Sequence, residues 1–300
     1  MKYKISDLPS DVQGEYIPDV DLSKMTGFKV GGCADILFKP KNKQDLIYFL
    51  KNKIKSIPIF VLGAGYNLLV RDKGIRGVVI YLKDTFKNIC LRDEKIVAEC
   101  GLNNLTFLSF CKKNLIGGYE FLGTIPGTLG GAIRMNAGCY GSFVADNFVS
   151  LNAVDFSGKE YNFTKEDCNF EYRKNNLSEN LIFIEAAFEA KEKSTLENIE
   201  ASFKEKMQYR IERHPQGVNT SGSTFKNPKD YPAWKLIGDI GLQNVDFNGA
   251  KMSEKHANFM INTGKAKAVD LENLGETIRK KAKEEKDIDL EWEIIRIGEN

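Results

Sequence analysis

Hydrophobic residues recur at helical spacing early in the chain, from 42 to 52, where Leu46, Phe49 and Leu50 share a face. They do so again late, where Leu271, Leu274, Ile278 and Ala282 form one apolar stripe. Two more helices are expected, near Asn104 to Lys113 and, strongly charged, over about Leu196 to Arg213. Short runs of strand character lie between them: Ile57 to Leu62, Gly77 to Tyr81, Ile96 to Glu99 and Leu181 to Phe188. Near the end the period becomes two. Ile288, Leu290, Trp292 and Ile294 alternate with Asp289, Glu291 and Glu293, which predicts a closing strand with one apolar and one acidic face. Strands and helices intersperse without regular βα alternation, so the pattern predicts an α+β chain, not a doubly wound sheet. Three units are expected: 1–73, 74–195 and 196–300. The loop rich in Pro, Gly, Asn and Ser after Arg213 is the clearest turn between regions.

Composition narrows the function classes. The chain has 300 residues, 42% hydrophobic and 28% charged, with a formal net charge of +2, so no electrostatic footprint for nucleic acid is present. No apolar run follows the basic start, and the most apolar stretch, Ile57 to Val61, is too short to span a bilayer. The six cysteines show no C-x-x-C spacing and read as reduced thiols of a cytoplasmic protein. His214 and His256 stand far apart, so no metal is expected.

The glycines carry the first chemical signal. Gly63-Ala64-Gly65-Tyr66-Asn67 directly follows a strand of buried type. Glycine lets the backbone approach a phosphate and turn its N–H groups toward it. A Rossmann fingerprint fails here, because Leu68 occupies the third glycine position and the following residues read as extended. A plain strand-to-strand turn remains the alternative. A second cluster runs from Gly123-Thr124-Ile125-Pro126-Gly127-Thr128-Leu129-Gly130-Gly131 to Asn136-Ala137-Gly138-Cys139-Tyr140-Gly141. It holds six glycines where the chain average of 26 in 300 gives roughly two. Ordering so much glycine is entropically costly and makes sense where backbone wraps a ligand such as a dinucleotide; the alternative is a flexible surface loop.

Both loops together resemble those of the UDP-N-acetylenolpyruvoylglucosamine reductase family, also called UDP-N-acetylmuramate dehydrogenases. That family has G-x-G-S-N-L-L, then I-P-G-S/T-x-G-G-A with N-A-G-A-Y-G. Further matches follow in the family's order: Thr26 with Gly31-Gly32-Cys33-Ala34-Asp35, Phe170-Glu171-Tyr172-Arg173, Gly222-Ser223-Thr224-Phe225-Lys226-Asn227-Pro228, Ser253-Glu254-Lys255-His256-Ala257-Asn258-Phe259, and Leu290-Glu291-Trp292-Glu293. The set spans about residues 23 to 299 and is specific as a set. The short interval from Arg173 to Ser223 looks like the branch lacking an extra substrate-covering loop.

The resemblance implies an FAD-binding unit of the vanillyl-alcohol-oxidase (PCMH) type, built of two subdomains, plus a C-terminal α+β substrate-binding domain. It implies non-covalent FAD, NADPH as co-substrate and reduction of the enolpyruvyl ether of UDP-N-acetylglucosamine-enolpyruvate to UDP-N-acetylmuramate for peptidoglycan. No oligomer is required. The implied FAD contacts are Val30 and Gly31; Gly63, Ala64, Gly65, Tyr66, Asn67 and Leu68; Thr124, Ile125, Pro126, Gly127, Thr128 and Gly131; and Asn136, Ala137 and Gly138. Arg173, Ser223 and Glu293 are the implied catalytic residues. Lys226, Asn227 and Arg210 are the candidates for the UDP-sugar.

The chemistry suits those residue types. Hydride addition to the enolpyruvyl C=C builds negative charge that spreads into the substrate carboxylate, so fixed donors must face it and a proton must reach carbon. Arg173 offers a permanent planar fork for a carboxylate, though an ordinary salt-bridge arginine is the plain alternative. Glu293 can serve if a closed apolar pocket raises its pKa so that it donates; otherwise it is a solvent-facing strand residue. The resemblance makes Ser223 the proton donor to carbon. For Arg210 a charge on a solvated helix remains the leading alternative, and His256 reads as a hydrogen-bonded structural histidine.

Several positions depart from the family pattern. Tyr66 stands for serine, His214 for glutamine, and Trp292 for the proline before the catalytic carboxylate. Arg296 lies three residues after Glu293 instead of two, which puts it on the opposite face of a strand. Glu291, sharing Glu293's face of such a strand, is the fallback carboxylate. No separate nicotinamide-binding unit is visible, so NADPH and the UDP-sugar are expected to use one site in turn. Other readings are a flavin oxidase of the same superfamily, although no histidine lies in the flavin loops, and a non-catalytic FAD module. A serine hydrolase would need a G-x-S-x-G elbow, which is missing.

Overall fold

The computed structural model describes residues 2–190 and 193–300. The first sheet runs Glu15–Asp21, Cys33–Lys39, Ile75–Tyr81, Ile59–Leu62; the outer pair is antiparallel and the others parallel. The expected early helix is Lys43–Asn52. The Asn42 side chain caps it by accepting the Asp45 amide at 2.9 Å, and Leu46, Phe49 and Leu50 are buried on the sheet. Ile75–Tyr81 sits inside this sheet, so the first layer continues past residue 73, where its expected boundary lay.

The second sheet is wholly antiparallel, in the order Glu160–Thr164, Phe148–Asp155, Leu181–Glu189, Lys95–Glu99, Ile89–Arg92. Helix Asn104–Lys113 covers it with Phe107, Leu108 and Cys111. Helix Leu196–Arg213 also packs here, through Ile199 and Phe203, although it was expected to open the third unit. Its apolar contacts, not its place in the chain, decide which core it joins. The glycine-rich cluster is not all loop: it closes the short helix Glu120–Gly123 and opens Leu129–Arg134. Thr128 caps the latter by accepting the Gly131 amide.

The third core packs helices Ala233–Asp239 and Ala268–Lys286 against a small sheet of Asp246–Phe247, Ala250–Met252 and Met260–Asn262. Leu271, Leu274, Ile278 and Ala282 are all buried, as their spacing predicts. The closing strand differs from expectation. Only Ile295–Ile297 is a strand, and it pairs in parallel with Leu68–Val70, just beyond the first glycine loop. Ile288, Leu290, Trp292 and Ile294 do face the third core, but their segment gains only one bridge, Trp292 to Phe225. Helix Ala268–Lys286 occupies the place of a sheet neighbour, and its Arg279 donates to the Leu290 carbonyl at 2.7 Å. Among the described residues, no helix is long and apolar enough to cross a membrane.

Candidate active site

The two glycine loops, some sixty residues apart in sequence, meet in space. A Cβ on Gly63 would lie 2.6 Å from the Thr128 hydroxyl oxygen, so only glycine permits that approach. Gly127 has φ +141°, and a Cβ there would meet only Asn104, at 3.8 Å. The space beside it is open. The amides of Ala64, Gly65, Tyr66 and Asn67, and those of Gly127 and Thr128, donate to no acceptor among the described residues. Unspent N–H groups on two loops in contact are the donors that an anion such as a pyrophosphate requires. On this observation the residues fit FAD.

Not every implied contact is free for that role. Asn136 donates to the Glu171 carbonyl (3.0 Å) and accepts the Ala145 amide (3.1 Å), so its side chain braces the fold. Ala137 and Gly138 hold the hairpin that follows, where a Cβ on Gly138 would strike the Phe143 ring. Val30 is buried in the third core and Leu68 lies in the strand pairing with the C-terminus, while Gly31 packs against Val70. The Tyr66 ring points outward, half-exposed. Thr124 donates to the Phe121 carbonyl at 2.7 Å, and Ile125 and Pro126 continue its turn toward Gly127.

The C-terminal segment brings the acid. Asn67 donates to the Glu293 carbonyl at 3.1 Å and accepts the Ile295 amide at 3.0 Å, tying the first glycine loop to the tail. Arg173 Nε donates to Glu293 Oε1 at 2.8 Å, with side chains only 19% and 13% exposed. Arg173 has φ +59°, an uncommon conformation for a non-glycine residue, and its Nη1 is buried without a partner. Burial pushes the Glu293 carboxyl above its ordinary value, and the Arg173 guanidinium pulls it only partly back. Glu291 does not share this environment. It is 72% exposed and pairs with Lys226 Nζ at 2.9 Å, because residues two apart share a face only in a regular strand, which this segment is not. The structure thus separates the two carboxylates. Arg296 turns to Glu272 and Glu276, but Glu293 lies outside the strand Ile295–Ile297, so the expected strand offset does not account for it.

Ser223 sits in the strand-like segment beside the tail. Thr224 accepts the Glu293 amide at 2.9 Å, and the Ser223 hydroxyl has no partner among the described residues. Lys226 is at the rim, held by Glu291. Asn227 accepts the amide of Ala233 at 3.0 Å at the start of its helix, a structural task that its motif did not reveal. Arg210 is half-buried, and its charge acts on Cys139, Tyr140 and His214, so it faces inward. His256 accepts the Asn258 amide at Nδ1 (3.3 Å) and packs on Phe259 and His214.

Two residues escaped sequence reasoning. Tyr140, with φ +56°, carries a buried hydroxyl without a partner on the hairpin that faces Arg210. Asn104 has a buried, unpartnered Oδ1 beside Gly127 and donates to the Ile125 carbonyl. Tyr140 stands in the glycine cluster and could have been singled out. Asn104 reads only as a helix start and gave no signal.

Comparison with known proteins agrees with this geometry. Residues 34–164 match the FAD binding domain family, and residues 214–297 match the UDP-N-acetylenolpyruvoylglucosamine reductase C-terminal domain family. The UDP-N-acetylenolpyruvoylglucosamine reductases of Rickettsia massiliae and Rickettsia conorii are each 46% identical over 287 residues, covering 96% of this chain and 97% of the relative. The crystal structure of UDP-N-acetylenolpyruvylglucosamine reductase from Thermus caldophilus superposes with a TM-score of 0.81 at 28% identity, over 95% of this chain and 99% of that one.

Proposed function

This chain belongs to the UDP-N-acetylenolpyruvoylglucosamine reductase family, and from that premise we propose how its own residues divide the work of the reaction. It is an FAD-dependent, NADPH-using reductase of peptidoglycan-precursor synthesis. FAD, when bound, would supply the hydride chemistry between NADPH and the enolpyruvyl double bond. The facing loops at Gly63–Asn67 and Gly127–Thr128 would hold its pyrophosphate with backbone donors.

Arg173 binds the substrate carboxylate through Nη1, the edge of its fork that has no protein partner. The arriving carboxylate places a second negative charge beside Glu293, whose pKa burial already raises, and favours its neutral form. Neutral Glu293 then donates to the oxygen where charge develops, while Arg173 stabilises the same charge as a fixed cation. The Ser223 hydroxyl, which has no partner among the described residues, delivers the proton to carbon. Lys226 meets the diphosphate at the rim and Arg210 contacts the UDP-sugar from its inward-facing position; Asn227 acts mainly by fixing the helix that begins at Ala233. NADPH and the UDP-sugar use the same opening in turn, in the cytoplasm, and the compact stretch between Arg173 and Ser223 supports membership of the branch without the extra covering loop.

The observation that carries this reading is the Arg173–Glu293 pair, buried beside loops whose backbone donors are unspent. Ser223→Ala tests it. Flavin bleaching by anaerobic NADPH should persist, and reoxidation by the enolpyruvyl UDP-sugar should slow by about 10²-fold or more. Reoxidation at the normal rate would remove Ser223 from the mechanism.

A further inference from the structure

Trp292 replaces a proline immediately before the catalytic carboxylate, and its indole is wedged, not free. A Cβ on Gly275 would lie 2.1 Å from the indole ring, so the outer edge of the ring is seated at the one position of helix Ala268–Lys286 that has no side chain. Its Nε1–H donates to Glu276 at 2.8 Å, and the Arg296 guanidinium stacks on it, 4.6 Å from the ring centre. Arg296 donates to the same Glu276 oxygen at 2.7 Å, and Arg279 donates both to Glu276 and to the Leu290 carbonyl. Residues 272, 275, 276 and 279 fall on one helix face, beside the apolar stripe, so the helix grips the whole tail segment from one side. On its other side the indole packs on Phe225, 5.1 Å between centres, and Trp292 bridges to Phe225 through the backbone.

That bridge has a consequence for the site. Phe225 is two residues from Ser223, Trp292 is next to Glu293, and the amides of Glu293 and Ile294 both reach the Thr224 carbonyl. The indole therefore clamps the serine segment and the carboxylate segment against each other, with the helix as anvil. We infer that Trp292, seated on Gly275, is the positioning residue that sets Glu293 and Ser223 at their working separation, a task for which this chain has no proline at 292. This rests on the reading of Glu293 and Ser223 as donors to the substrate.

Trp292→Ala removes the wedge, Trp292→Phe keeps an aromatic ring without the Glu276 bond, and Gly275→Ala leaves Trp292 intact but fills its seat. FAD content and bleaching by NADPH are measured first for each variant, then reoxidation by the enolpyruvyl UDP-sugar across pH. A misplacement of about an ångström at two donors slows such a step about tenfold or more. The expected result is that slowing in Trp292→Ala and Gly275→Ala, with normal FAD content, partial recovery in Trp292→Phe, and a shift of the Glu293 pH limb toward the ordinary glutamate range as the pocket admits water. Gly275→Ala drives a Cβ into the indole, so a merely structural glycine would lower heat stability while leaving the reoxidation rate and the limb unchanged. Wild-type reoxidation rates and an unchanged limb in Trp292→Phe and Gly275→Ala would overturn the inference, whether or not Trp292→Ala folds. Failure of the wild-type protein to be reoxidised by the UDP-sugar would instead sink the reading on which the inference rests.

Discussion

Arg173 Nε and Glu293 Oε1 lie 2.8 Å apart although 120 residues separate them in the chain. Arg173 spends only one edge of its guanidinium on this contact, and its buried Nη1 is left over. A buried cation with an unused donor is a costly arrangement unless something anionic completes it. We propose that the substrate carboxylate is that group. Arg173→Lys retains a charge but loses the fork, so the oxidative half-reaction should slow by about 10²-fold, with KM for the UDP-sugar rising. Stopped-flow reoxidation measures both. Equal rates for lysine and arginine would show that the fork is not used.

Glu293 predicts a pH dependence. Its pKa lies above the ordinary glutamate value of 4.5, because burial outweighs the pull of Arg173. If the neutral form donates, the rate is full below the folded-state pKa and falls as pH rises through it. Glu293→Gln keeps a neutral donor and should lose that limb while retaining more activity than Glu293→Ala, which should fall about 10²- to 10³-fold. A limb that survives in Glu293→Gln belongs to another group.

Gly127 is the sharpest test of the loop assignment. Its φ of +141° is strained for any other residue, and the space beside it is open. Gly127→Ala should weaken FAD binding by roughly 10- to 100-fold, the equivalent of about 1–3 kcal/mol of backbone strain plus lost approach. Titration of apoprotein with FAD measures it. Undiminished affinity would mean that the cofactor does not pass Gly127.

His214 bears on stability. Burial, helped by the nearby charge of Arg210, holds its pKa down at about 4. The unfolded chain titrates near the ordinary 6.5, so the contribution of the neutral ring is complete above that pH and is lost as pH falls toward 4. His214→Gln introduces the residue usual in the family and should flatten the fall of Tm across this interval. A parallel fall in both proteins would assign it to other groups, His256 first among them, since burial lowers its pKa as well.

Local physics was legible in the sequence. Asn104–Lys113 and Leu196–Arg213 form as helices over the expected residues because apolar spacing and polar ends act within a few turns. The glycine loops could be picked out because glycine is costly wherever it is not needed. The order of the motifs was enough to indicate the family.

What the tertiary structure alone decided involves partners far apart in the chain. Alternation in 288–294 could not reveal that a helix, not a strand, would lie alongside, and so could not separate buried Glu293 from exposed Glu291. Asn136 and Asn227 carry residue types that suit a ligand, yet their hydrogen bonds go to the backbone at Glu171, Ala145 and Ala233. Tyr140 and Asn104 matter through what their buried atoms lack, which only packing creates. Residue type and spacing determined which chemistry this chain could perform; long-range closure, with its desolvation and its unshared hydrogen bonds, decided which residues are placed to perform it.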